Sequence, residues 1–347
     1  MSDNIKFSVS SSPHITSGNS TRRIMLDVVI ALIPAMIAAV LLYGFYSLFL
    51  IALSVGSCVL AEFLFNKIKK EETTVGDCSA VVSGVILALN LPPAVPFYVP
   101  IFGGFFAMMI VKMLFGGLGR NFANPAITAR IFLMLAWTGI MTKFVKPIDL
   151  SKGFSEMFSY FKFAFTTNGM DVVTGATPLS YIKAGAFEHI DLTDMFLGRI
   201  GGSMGEVSAL ALLIGGAYLV VRKVIDWKIP AIYIGSVALF TLAFKGNIDY
   251  VLPSLLGGGL IFGAFFMATD YATSPNTPIG VVVYALGLGL LTTLFRIYGS
   301  MDEGVSFAIL IMNILVPLID KFIIRRPFGY VPKKRERKPK KIKEETK

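Results

Sequence analysis

IMLDVVIALIPAMIAAVLLY, residues 24–43, is twenty residues long and carries a single charge, Asp27. Twenty residues in a helix rise about 30 Å, the thickness of the hydrocarbon core of a bilayer. The run is too long for the apolar part of a signal peptide and follows a polar stretch, so a permanent span is expected rather than a cleaved leader. The rest of the chain has the same character. Of its 347 residues 54% are hydrophobic and 16% charged, with a mean hydropathy of +0.70. Soluble domains carry roughly 25% charged residues. The composition therefore describes an all-α integral membrane protein.

Laid along the chain with the same ruler, apolar segments fall at about 24–43, 47–66, 78–91, 97–116, 125–141, 203–221, 229–244, 255–269, 279–296 and 305–324. Ten spans divide into five and five, and an odd half-count gives the two halves opposite orientations. The third segment is rich in small residues and ends in LNLPPAVP, while the eighth, LGGGLIFGAFFMATDYATSPNTP, has the same character and ends in a polar, proline-containing turn. This pairing fits an inverted 5+5 repeat, which places binding sites at the pseudo-symmetry interface beside broken helices. Glycine-rich spans also recur in polytopic proteins without any repeat.

Basic residues orient the layout. Arg22 and Arg23, then Lys67, Lys69 and Lys70, then Lys112, Arg120 and Arg130, then Arg222, Lys223 and Lys228, and finally the tail all fall on one side under strict alternation. That side is expected to be the cytoplasm. The expected organisation is a cytoplasmic N-terminus (1–23), a first membrane half (24–141), an extracytoplasmic loop (142–202), a second membrane half (203–324) and a basic cytoplasmic tail (325–347). The net charge is +10, and the tail alone holds eleven Lys and Arg against three Glu. A basic run behind a span reads as a topology signal or a contact for anionic membrane lipids, and nucleic acid is not an expected partner. Two cysteines, Cys58 and Cys78, and two histidines, His14 and His189, show no ligand spacing, so no metal site and no catalytic residue are expected.

The long loop holds DVVTGATPLS, residues 171–180. Threonine beside glycine and proline is commonly turn chemistry. Here an Asp lies six residues before the second Thr, a Gly-Ala pair leaves room for a bulky group, and a proline fixes the backbone beyond it. The pattern D-x-x-[ST]-G-A-T-P-L resembles the covalent flavin attachment signature shared by two related proteins, the D subunit of the Rnf complex and the B subunit of the sodium-translocating NADH:quinone reductase. The resemblance continues through SSPHITSGNSTRRIML, DCSAVVSGVILALNLPP, FGGLGRNFANPAITAR, FFMATDYATSPNTPIG and DEGVSFAILIMNILVPLID, covering nearly the whole chain. The chain enters its first apolar run by Ile24, without the longer N-terminal extension usual in the quinone reductase relative, which favours the Rnf one.

The resemblance implies that Thr177 carries FMN through a phosphodiester, with Asp171, Thr174, Gly175 and Ala176 as the context that a flavin transferase reads. It also implies a second, non-covalent flavin, riboflavin or FMN. Other Rnf subunits (A, B, C, E and G) are the implied partners, and membership of a redox-driven ferredoxin:NAD+ translocase the implied role. In GRNFANPAITAR, residues 119–130, Arg120, Asn121, Asn124 and Arg130 form a candidate cluster for that second flavin or for a contact with another subunit. The same residues also read as a helix break and restart with Pro125 at the first helical position. Among acidic residues near spans, Asp27 is expected to pair with Arg23 one turn away and Asp77 to cap the third span. Glu62 and Asp270 remain candidates for a cation path, or for contact with water at span ends. A transporter or channel without redox chemistry is the alternative from another class, and it predicts no flavin.

Overall fold

A computed structural model describes residues 20–148, 154–163, 177–186, 188, 190–206, 208–299 and 304–324, and these are helical without any strand. Helix α1 (Thr21–Tyr43) starts where the Ser20 hydroxyl accepts the Arg23 N–H and ends at Gly44, where a positive φ of 76° turns the chain directly into α2 (Phe45–Lys69). Then come α3 (Ser79–Leu89), α4 (Tyr98–Phe105), which runs on as a π-helix over Phe106–Met113, and α5 (Pro125–Ala136). After a four-residue helix at Thr138–Met141 and a 3-10 stretch at Phe154–Phe163 come α6 (Pro178–Ala184) and α7 (Leu192–Leu197). The second half comprises α8 (Ala209–Val221), α9 (Lys228–Lys245), α10 (Val251–Leu256), α11 (Leu260–Phe262), which continues as a π-helix over Gly263–Met267, α12 (Pro278–Tyr298) and α13 (Val305–Phe322).

The faces of α1 explain the membrane character. Leu26, Ile30, Ile33, Ile37 and Leu41 recur at helical spacing and are exposed, while Asp27, Ala31, Ala35 and Ala39 face inward. An exposed apolar stripe over a small-residue interior is the reverse of a soluble amphipathic helix and fits an apolar surrounding such as lipid. Small residues also set the closest helix approaches. A Cβ on Gly84 of α3 would lie 2.7 Å from Val55 Cα of α2, and one on Gly289 of α12 would strike Ser236 of α9.

Five helices, α1, α2, α9, α12 and α13, are long and apolar enough to cross a bilayer, or six if the pair Ile248–Leu256 and Leu260–Met267, bent by 63°, is one crossing. Four further apolar helices are shorter. α3, with 11 residues, rises about 16 Å, roughly half of a hydrocarbon core. Each of the ten apolar segments read from the sequence overlaps one of these helical elements, of which five, or six with the bent pair, have the length and composition of a crossing.

Four sequence readings need correction. Lys112 and Arg130, counted as loop charges, are buried within the π-helical end of α4 and within α5, so they carry no topological information. Asp27 pairs with Arg222 at the end of α8 (3.2 Å) and accepts the Tyr218 hydroxyl (3.0 Å), because it lies on the inward face of α1. Glu62 does not reach water, being fully buried in α2. Asp77, read as the cap of α3, stands one residue before the N-cap position, which Cys78 holds without a side-chain hydrogen bond, and accepts from the Ser79 N–H at 2.8 Å.

Candidate functional site

Thr177 is the residue before α6, in extended conformation, and its Oγ1 accepts the Ser180 N–H at 3.4 Å while Pro178 occupies the first helical position. The residue is partly exposed. It borders a small cleft whose other walls include Gly201, Gly202, Gly258 and Glu206. Three glycines around one hydroxyl leave space where side chains would otherwise stand. Asp171, Thr174, Gly175 and Ala176 lie outside the described residues, as does the basic tail from residue 325.

Glu206 connects this cavity to the interior. Its Oε1 lies 2.9 Å from Arg130 Nη1, and both side chains are almost wholly buried, at 3% and 5% exposure. Arg130 also donates to Asn90 Oδ1 (2.7 Å), Ser306 Oγ (3.0 Å) and Ser203 Oγ (3.4 Å). One guanidinium thus joins the end of α3, the start of α13 and the segment between the halves. Burying a charge is costly unless it is paired and hydrogen-bonded, and Arg130 meets both conditions.

Of the four residues read as a cluster, the structure brings two together. Asn121 and Asn124 line a second cavity, of about 750 Å³, with Lys112, Ser79, Thr269 and Asp270 among its polar walls and α1, α3 and α8 supplying apolar ones. Arg120 is exposed, folded against Gly116, and Arg130 serves the buried network instead. Asn124 caps α5, its Oδ1 accepting from Ala126 N (3.0 Å) and Ile127 N (3.4 Å), so the helix-restart reading holds for this residue and does not conflict with its place in the cavity wall. Asn121 Nδ2 donates to Ala123 O at 2.9 Å.

Behind that wall runs a chain of polar contacts that the sequence did not announce. Lys112 Nζ lies 2.8 Å from Glu62 Oε2 and donates to Ser79 Oγ at 2.6 Å, while Glu62 Oε1 accepts from Thr74 Oγ1 at 2.5 Å. Across the cavity, burial pushes the Asp270 carboxyl above the ordinary carboxylate range, offset in part by hydrogen bonds from Ala272 N and Thr273 Oγ1 (3.2 Å). Among the described residues no group of His, Cys, Asp and Glu has the arrangement of a metal site.

The two cavities are linked by α5. Asn124 stands at its start in the larger one, and Arg130, about 9 Å further along the axis, reaches Glu206 in the wall of the smaller one.

Comparison with known proteins places these residues in context. Residues 8–329 match the model of the NQR2, RnfD, RnfE family. The chain is 44% identical to the D subunit of the Na(+)-translocating ferredoxin:NAD(+) oxidoreductase complex of Acetobacterium woodii, over 96% of this chain and 99% of the relative. It is 38% identical to the D subunit of the proton-translocating ferredoxin:NAD(+) oxidoreductase complex of Clostridium ljungdahlii, over 93% and 96%. It is 35% identical to the D subunit of the ion-translocating oxidoreductase complex of Haemophilus influenzae, over 95% and 100%.

Proposed function

Because the chain belongs to the NQR2, RnfD, RnfE family, we propose that it is the D-type membrane subunit of an ion-translocating ferredoxin:NAD+ oxidoreductase and that it carries FMN on Thr177. It works with the other subunits of that complex, which oxidise ferredoxin and reduce NAD+. The cation is Na+ in the name of one relative and H+ in that of another, so the reading covers either.

The observation that carries the FMN assignment is the placement of Thr177, a partly exposed residue lining a glycine-walled cavity at the start of a helix. A core threonine would be enclosed. Attachment needs FAD as donor and a separate transferase. The Thr177 oxygen forms a bond to the FMN phosphorus, the bond from that phosphorus to the AMP oxygen breaks, AMP leaves, and the hydroxyl proton passes to the transferase or to water. No base in this chain is required. Once bound, a flavin supplies electron transfer, and the protein's part is to hold and tune it.

The residues present also fit a second flavin at the larger cavity. Asn121 and Asn124 bring amide groups to its wall, and Lys112 brings a cation held in place by Glu62 and Ser79. Apolar side chains from α1 and α8 suit a flat ring.

The same reading gives ten crossings. Five long helices, the bent α10–α11 pair and four shorter apolar helices make five elements in each half, and the odd count supports inverted halves. Exposed basic residues at Arg22, Lys69, Lys70 and Arg222 support a cytoplasmic face there and an extracytoplasmic Thr177.

The test is a denaturing gel of the full chain co-expressed with a flavin transferase. A fluorescent band that vanishes in Thr177→Val is the expected result, and a dark wild-type band contradicts the assignment and returns the chain to the class of transporters without redox chemistry.

A further inference from the structure

The segment FSEMFSYFKF, residues 154–163, lies between α5 and α6 and is a 3-10 helix. With three residues per turn, positions three apart stand in one row along it. The first row faces inward. Met157 is buried, with its carbonyl where a Cβ on Gly44 would strike it, and the Tyr160 hydroxyl donates to Lys146 O at 2.5 Å. In the second row Phe158 and Phe161 are 51% and 37% exposed. The third row holds Glu156 and Ser159, polar and half-buried.

The exposed rings meet the start of α2. Phe158 lies 5.1 Å from Phe45 between ring centres, and Phe161 lies 5.5 Å from Tyr46 and 5.9 Å from Phe49. α2 has the length and composition of a crossing, and its 25 residues rise about 37 Å, more than the roughly 30 Å of a hydrocarbon core. Its Phe45 end therefore reaches the level of the lipid headgroups. The segment lies across that end, beside the turn through Gly44 that joins α1 to α2. Leu48 and Phe49 are exposed as well, so the row of Phe158 and Phe161 continues the apolar outer face of α2 without a break.

Aromatic rings concentrate where a membrane meets water, and a helix with one aromatic face and one polar face lies in the plane of that boundary. We infer that residues 154–163 are an interfacial anchor, with Phe158 and Phe161 seated among the acyl chains just below the headgroups at the Phe45 end of α2, and Glu156 and Ser159 turned to the headgroups. The connection between α5 and α6 is thereby moored to the bilayer surface before it reaches Thr177. This holds whichever way the chain is oriented and whether or not Thr177 carries a flavin, and it rests on α1 and α2 crossing the membrane.

Depth-dependent quenching of tryptophan emission tests it. The full-length chain, with Trp137→Phe and Trp227→Phe to remove its two native indoles, is placed in phosphatidylcholine vesicles brominated either near the glycerol end of the acyl chain or near its terminus. Phe158→Trp is expected to lose emission mainly to the shallow bromine. Ile33→Trp, at an exposed position midway along α1, serves as the deep reference and is expected to lose it mainly to the terminal bromine. Phe161→Trp, read in the same way, gives the shallow result where an indole at 158 prevents folding. Emission from 158 and 161 that neither lipid quenches, beside a quenched Ile33→Trp, overturns the anchor alone. Quenching that disappears when the chain is assembled with its partner subunits also overturns it, by showing that protein covers these rings. An unquenched Ile33→Trp overturns the crossing of α1, and the anchor with it.

Discussion

Arg130 and Glu206 form a buried ion pair at 2.9 Å that ties a helix of the first half to the wall of the cavity beside Thr177. The pair joins the scaffold to the site. Removing either partner strands a charge where water does not reach, at a cost of about 3–5 kcal/mol. Arg130→Met and Glu206→Gln are each expected to lower the unfolding midpoint in detergent strongly, while the double variant loses less than the sum of the two. Additive losses would show that the two side chains are not coupled.

Asn121 and Asn124 separate by role although both line the larger cavity. Asn121→Ala removes a polar wall group and is expected to lose non-covalent flavin with little change in stability. Asn124→Ala loses the α5 cap too, at about 1 kcal/mol, and Asn124→Asp keeps that cap. Flavin released on acid precipitation, measured beside thermal unfolding, checks both halves. Retention of flavin in Asn121→Ala would remove this residue from the site.

Asp270 gives a pH dependence of defined sign. Its folded carboxyl is raised by burial, whereas unfolded it titrates near the ordinary value of about 3.9. Between that value and the raised one the folded chain holds a proton that the unfolded chain has lost. The contribution to stability is therefore fully present below the ordinary range and is lost as pH rises through the raised value. Asp270→Asn lacks this loss, so its unfolding midpoint relative to wild type should climb across that window and then level off. A difference that stays flat with pH would contradict the burial of this carboxyl.

Asp27 and Arg222 are a weaker pair, because the Arg222 side chain is 41% exposed. Arg222→Gln is expected to lower the unfolding midpoint far less than either change at the Arg130–Glu206 pair, with the small loss shrinking further in high salt. A loss as large as that of Arg130→Met in a thermal scan would place the guanidinium in a drier setting than its exposure indicates.

These cases mark what one sequence can disclose. Apolar run length located every long helix, and the restart at Pro125 followed from a local rule that the structure satisfies, whereas the cap position of α3 falls one residue beyond Asp77, on Cys78. The Asp27 partner was misread because a local spacing rule competes with partners on other helices, and residue 222 is 195 positions away. Lys112 was taken for a loop charge although it lies inside the apolar run 97–116, because a lysine was read as belonging to the nearest connection. A lone lysine within MMIVKMLF is the signal that such a residue sits inside a helix with a buried partner. Glu206 raised no expectation at all, since its role arises from segments that meet only in three dimensions.

The central claim is that the Thr177 oxygen is esterified, and mass spectrometry of the peptide containing Thr177 tests it most directly. The chain should be purified from cells in which a flavin transferase is active. The account predicts that this peptide carries the added mass of FMN at Thr177 and loses it in Thr177→Val. An unmodified Thr177 peptide from those cells would contradict it.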